Sequence, residues 1–162
     1  MKNVVSINQN QPSFKKIVAD LTELCQQDLV SVNTILLDKL DSNVPLVHEV
    51  AKYLILSGGK RLRPLLTVAS YHMINNEIIQ KENSINHIGL AAAVEFIHAA
   101  TLLHDDVIDE SKQRRGKPTA NEKWKNKTSV LVGDFLFSRA FQLMTKYGNS
   151  NTLRILADTS VI

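Results

Sequence analysis

The stretch EFIHAATLLHDDVIDESKQRRGKP, residues 95–118, sets three aspartates, Asp105, Asp106 and Asp109, within about one helical turn and follows them with the pair Arg114 and Arg115. On a helix Asp105 and Asp109 share a face, while Asp106 is rotated about 100° from Asp105. His98 and Thr101 precede Asp105 at helical spacing, so His98, Thr101, Asp105 and Asp109 form one stripe. Carboxylates this close repel one another unless a cation lies between them. Oxygen-only donors suit Mg²⁺, which takes one or two carboxylates and completes its shell with water and substrate phosphate. The guanidinium fork suits the phosphate itself. The alternative is an acidic, solvated helix end. Against that alternative, the residues upstream are almost wholly apolar, so the acids emerge from a buried element. Acids near a helix C-terminus also oppose the dipole. The segment reads as one that holds a diphosphate through bridging magnesium.

A second cationic cluster lies upstream. In SGGKRLRP the pair Gly58 and Gly59 is followed by Lys60, Arg61 and Arg63. Glycines before clustered cations at a helix start bring backbone N–H groups and side chains to one anion. A simple helix junction is the competing reading, and the spacing is not that of a P-loop. Two basic clusters and one carboxylate cluster suggest two phosphorylated ligands and a metal. His98 taken alone reads equally as a core histidine, and His104 as a partner to Asp105 or as helix surface. Nothing has nucleophile-elbow spacing. Phe135, Phe137, Phe141 and Met144 read as core.

The elements that must carry these residues are helical. Phe14, Ile17, Val18, Leu21, Leu24 and Cys25 recur at threes and fours, predicting a first helix from Phe14 to about Leu40. Asp41, Ser42 and Asn43 supply a break and an N-cap, with Pro45 in the first turn of a second helix that Ser57, Gly58 and Gly59 end. Further helices are expected from Pro64 to about Ile74, from about Ser84 to Asp109, from Ala120 to Lys125, and from Ser129 to Tyr147 with a stop at Gly148. Residues 110–119 read as a loop. Asn149, Ser150 and Asn151 cap a final segment, Thr152 to Ile162. No strand alternation and no repeat is evident. The expected class is all-α, with antiparallel helices joined by short loops. Residues 1–13 are expected to be a disordered N-terminal segment, and residues 14–162 one helical unit. The final segment is apolar and has no helix-stop signal, so we expect the chain to be cut off in mid-pattern.

Composition narrows the function. The chain has 162 residues, 44% of them hydrophobic, which is ordinary for a globular protein. Nineteen Lys and Arg against sixteen Asp and Glu give a net charge of +3. That excess suits a small anionic ligand and is too weak and dispersed for nucleic acid. Cys25 is the only cysteine, so neither an intrachain disulfide nor a multi-cysteine zinc site can form. With no secretory signal at the N-terminus, a reducing, cytoplasmic location is expected. The longest nearly apolar run, Ile88 to Leu103, is interrupted by Glu95 and His98 and is shorter than a membrane span of about 20 residues. No transmembrane segment is expected.

Taken together, SGGKRLRP, EFIHAATLLHDDVIDES, RRGKPTAN and GDFLFSRAF, in that order, resemble the trans-polyprenyl diphosphate synthases, in wording nearest the octaprenyl-type bacterial enzymes. The resemblance covers nearly the whole chain beyond about residue 14. It implies an isoprenoid synthase-type helical bundle that assembles as a homo- or hetero-oligomer. It also implies that isopentenyl diphosphate condenses with an allylic diphosphate such as farnesyl diphosphate, using Mg²⁺. Asp105 and Asp109, with Asp106 alongside, would match the first aspartate-rich motif and hold the allylic diphosphate through the metal. Arg114 would contact that diphosphate. Lys60, Arg63, His98 and Arg115 would bind the diphosphate of isopentenyl diphosphate. Ala100 and Thr101 stand where the family gates product length. Their small size implies a long product of the kind used for quinone side chains, unless the alanines serve only close helix packing. The family's second aspartate-rich motif does not occur in this sequence. We therefore expect an N-terminal half, truncated, inactive in prenyl transfer without a complementary C-terminal polypeptide. The alternative is a non-catalytic remnant, or a regulatory or structural subunit of a partner prenyl synthase.

Overall fold

The computed structural model describes residues 12–75 and 85–160. Among these residues the chain forms seven helices and one two-stranded ribbon: α1 (Phe14–Leu24), α2 (Gln26–Asp38), α3 (Pro45–Leu56), α4 (Leu62–Asn75), α5 (Asn86–Ile108), β1 (Gln113–Arg114), β2 (Lys117–Pro118), α6 (Ala120–Tyr147) and α7 (Ser150–Thr159). The all-α expectation holds. The expected disorder of residues 1–13 falls largely outside the described residues, as do the start of the fourth expected helix at Ser84 and the last residues of the final segment.

α5 is the axis of the fold. It packs against α2, α4 and α6, and eleven of its residues are buried. A helix enclosed on most sides needs apolar residues around most of its circumference, and its sequence supplies them. Phe96 and Leu103 of α5 meet Leu36, Leu65, Leu136 and Leu143 in one continuous core. Each such side chain contributes about 1.5–3 kcal/mol on full burial. The closest approach is to α6. Gly89 lies against the Tyr147 ring, where an added Cβ would meet Cδ2 at 2.1 Å, and Gly133 lies against His104. By length and composition α5 could cross a membrane, yet here it is the core helix.

Several boundaries differ from expectation. The first helix turns at Cys25 into α1 and α2, while Cys25 N still donates to Leu21 O and Leu29 N to Cys25 O. Val44, not the Asp41–Asn43 triplet, is the N-cap of α3; Ser42 instead accepts a hydrogen bond from Val44 N at 3.2 Å. Gly58, at φ +84°, ends α3 as expected. The two helices expected over residues 120–147 are one run bent at Lys125, whose φ is +73°. Lys123, just before the bend, lies 4.2 Å from both the Tyr53 and Trp124 ring centroids, which ties α6 to α3. Phe141 is exposed rather than core, whereas Met144 is buried and Phe135 and Phe137 are partly so. α1 and α7 bury no residue fully.

Candidate diphosphate and metal site

The loop expected over residues 110–119 is a hairpin, and the hairpin builds the site. Arg115 and Gly116 form a two-residue connection between β1 and β2, with φ of +54° and +76°. Positive φ at both central positions is what a type I′ turn requires, and Gly116 meets it without steric cost. Thr119 and Asn121 pin the returning chain. Thr119 Oγ1 donates to Ser111 O at 2.6 Å, and Asn121 Nδ2 donates to the carbonyls of Asp106 and Ser111. The hairpin therefore returns onto the end of α5, and its two arginines meet different partners.

Arg114 turns toward the aspartates. Its Nη2 donates to Asp106 Oδ1 at 2.8 Å, and its Nε lies 3.2 Å from both carboxylate oxygens. Asp106 is 2% exposed and Arg114 35%. The hydrogen bond to Asp106 is the main reason the Arg114 pKa is raised, and Asp105 and Asp109 add to it. The three aspartates are thus not equivalent. Asp106 is a buried counter-ion, while Asp105 and Asp109 are exposed and their carboxylates make no hydrogen bond or ion pair among the described residues. Two open carboxylates on one face, backed by a fixed arginine, fit a hard divalent cation with water and phosphate completing its shell.

Arg115 meets the other basic segment. Its guanidinium lies against Gly59, where an added Cβ would come within 2.6 Å of Nη1. That contact joins the two cationic clusters that are far apart in sequence. Lys60, Arg61, Arg63 and Arg115 line one open cavity with His98 and Glu95. Glu95 is already engaged by Arg61 Nη1, and Arg61 Nη2 also donates to Ile55 O at 2.8 Å. Lys60, Arg63 and Arg115 remain without an ion-pair partner among the described residues. His98 has a lowered pKa, first from burial and then from Arg63, with Arg115 and Arg114 adding to it and Glu95 opposing. It faces the cavity, where burial and the neighbouring cations favour its neutral form.

The stripe is present, with His98, Thr101 and Asp105 on α5 and Asp109 as its C-cap. Thr101 is exposed, with Oγ1 donating to His98 O at 2.8 Å. Ala100 is wholly buried in the core, so its small side chain allows close helix packing there. Sequence reasoning missed the importance of Arg61 and Glu95. The signal available was a carboxylate inside an apolar helix, which needs a buried partner.

A profile of polyprenyl synthetases matches residues 44–161, nearly three-quarters of the chain and all of the site just described. The chain belongs to the polyprenyl synthetase family. It is 44% identical over 138 residues to the octaprenyl diphosphate synthase of Escherichia coli, covering 85% of this chain and 41% of that one. A decaprenyl diphosphate synthase from Rhodobacter capsulatus superposes with a TM-score of 0.82 at 49% identity, covering 89% of this chain and 43% of that one. A polyprenyl synthase from Caulobacter crescentus, solved with calcium and isoprenyl diphosphate, gives 0.82 at 47% identity, covering 88% and 42%. The chain therefore spans about two-fifths of the length of these polyprenyl synthetase relatives, and matches their N-terminal portion.

Proposed function

We propose that this chain supplies the diphosphate-binding part of a long-chain trans-polyprenyl diphosphate synthase. Asp105 and Asp109 hold the metal-bound allylic diphosphate. The cavity of Lys60, Arg63, His98 and Arg115 takes the diphosphate of isopentenyl diphosphate. The observation that carries this is the contact of Arg115 with Gly59, which joins the two basic segments into one anion cavity beside the open carboxylates. The long-chain products named for the relatives, and the calcium and isoprenyl diphosphate in one of them, support the same reading. Mg²⁺, when bound, neutralises the charge that develops on the departing diphosphate.

The chain's own residues divide the remaining work. Arg114, locked by Asp106, places a fixed positive charge beside Asp105 and Asp109, where the allylic C–O bond would break and negative charge would grow. The isopentenyl diphosphate is held in the cavity by cations that need no rearrangement to receive it. Its double bond attacks the allylic carbon, and a proton then leaves the adduct. His98 donates a ring N–H hydrogen bond to a phosphate oxygen beside Lys60, Arg63 and Arg115. A product longer than geranylgeranyl, and a homo- or hetero-oligomeric assembly in the cytoplasm, complete the proposal.

Only one aspartate-rich motif occurs in the sequence. We propose that this chain alone does not complete prenyl transfer and needs a C-terminal polypeptide bearing the second motif. The test is incorporation of labelled isopentenyl diphosphate into farnesyl diphosphate with Mg²⁺, resolved by chain length. The chain alone should give no product, and addition of the complementary polypeptide should give a long one. Product of the chain alone would refute the half-site requirement. No product with either would refute the catalytic reading and favour a regulatory or structural subunit.

A further inference from the structure

Away from the diphosphate site, three helices bring donors of a different kind together. Asp28 lies in the first turn of α2, His72 in the last turn of α4, and His87 in the first turn of α5. His72 Nε2 is 2.6 Å from Asp28 Oδ2, and His87 Nε2 is 3.4 Å from the same oxygen. All three donor atoms lie within 4.8 Å of one another. We propose that Asp28, His72 and His87 form a binding site for a divalent transition-metal ion of the zinc class, separate from the aspartates of the diphosphate site.

Donor chemistry decides the class of ion. Two imidazoles and one carboxylate suit zinc, cobalt or nickel rather than magnesium. Tetrahedral bonds of about 2.05 Å put ligand atoms about 3.3 Å apart. The His87 to Asp28 separation already matches. The His72 to Asp28 contact is a hydrogen bond that must open by about 0.7 Å to reach that spacing, and His72, at 46% side-chain exposure, is free to make that movement. His87 is held in place, only 10% exposed and stacked on Tyr71 with ring centroids 3.8 Å apart and planes 2° from parallel. Its Nδ1 is buried and has no hydrogen-bond partner among the described residues, so the Tyr71 stack and the Nε2 contact to Asp28 hold the ring. A fixed histidine, a half-exposed one and a carboxylate leave a fourth position open to water. A bound ion would fasten α2, α4 and α5 together beside the groove lined by Cys25, His72 and Met73.

The test is titration of the whole metal-stripped chain with Co²⁺ alone, without diphosphate, followed by its visible absorption. We expect the intense bands of a four-coordinate ion, saturating at one equivalent and displaced by Zn²⁺. His72→Gln, at a half-exposed position and checked for unchanged helicity, should weaken binding at least about tenfold. Asp105→Asn with Asp109→Asn should leave it unchanged. Absence of four-coordinate bands in the unmodified chain overturns the proposal without recourse to any variant. Binding unchanged by His72→Gln, or lost in the double aspartate variant, also overturns it. Because no diphosphate is present, the result stands apart from the proposed prenyl transfer.

Discussion

The Asp106–Arg114 pair should respond unequally to loss of its two members. Asp106 is 2% exposed, and Arg114, at 35%, keeps part of its guanidinium in water. Arg114→Met retains the alkyl packing and removes the charge, leaving a buried carboxylate without its counter-ion. Breaking a buried pair from that side costs about 3–5 kcal/mol. Asp106→Asn leaves an arginine that water can still reach, and loses charge-assisted hydrogen bonds worth about 1.5–3 kcal/mol while keeping one acceptor. Arg114→Met should therefore be the more destabilising by about 1–3 kcal/mol. The double variant should be more stable than Arg114→Met alone, because the buried charge is gone. Urea unfolding followed by far-ultraviolet circular dichroism and by the fluorescence of Trp124 measures all three, with coincident transitions as the check on two-state behaviour. If Asp106→Asn costs as much as Arg114→Met, the desolvation argument fails and Asp106 is not a buried counter-ion.

Other perturbations follow from the same geometry. Asp105→Asn and Asp109→Asn should each change stability by less than about 0.5 kcal/mol, since neither side chain is buried or paired, yet weaken Mg²⁺-dependent binding of an allylic diphosphate at least tenfold on the order of one lost charge-assisted contact, as calorimetry would read. His98 has a lowered pKa in the folded chain, so the unfolded chain takes up its proton first as pH falls. Stability should drop as pH descends from about 6.5 toward the lower folded value and level off below it; His98→Gln should remove that part of the slope in urea titrations across pH. Gly89→Ala would set a Cβ 2.3 Å from Tyr147 Cγ, close to the root of the side chain, so the ring cannot simply swing aside. Overpacking of about 1–3 kcal/mol less a helix-propensity gain of about 1 kcal/mol should give a lower melting temperature.

Much of the site is legible in the sequence because it depends on helical periodicity. The stripe of His98, Thr101, Asp105 and Asp109 needs only 3.6 residues per turn, and the structure keeps it along α5 and its C-cap, Asp109. What periodicity cannot supply is contact between distant segments. Asp106 differs from its neighbours because a hairpin brings Arg114 back onto it, and that hairpin turns on Arg115 and Gly116, without the Asn-Gly or Asp-Gly that usually marks such a turn. Arg61 was indistinguishable from Lys60 and Arg63 in SGGKRLRP, since its partner Glu95 lies on another helix. Phe141 fits the apolar spacing of α6 but faces outward. The bend at Lys125 needed the chain's actual dihedral angles, although the gap between the two expected helices fell close to it.

On this reading two open carboxylates and one cationic cavity bind two different diphosphates. Calorimetric titration of the chain with farnesyl diphosphate, with and without Mg²⁺, tests it most directly. Saturable one-to-one binding that requires Mg²⁺ and is lost in the Asp105→Asn, Asp109→Asn double variant is the predicted result. Binding that is indifferent to Mg²⁺ and to both aspartates, or no binding at all, would contradict it.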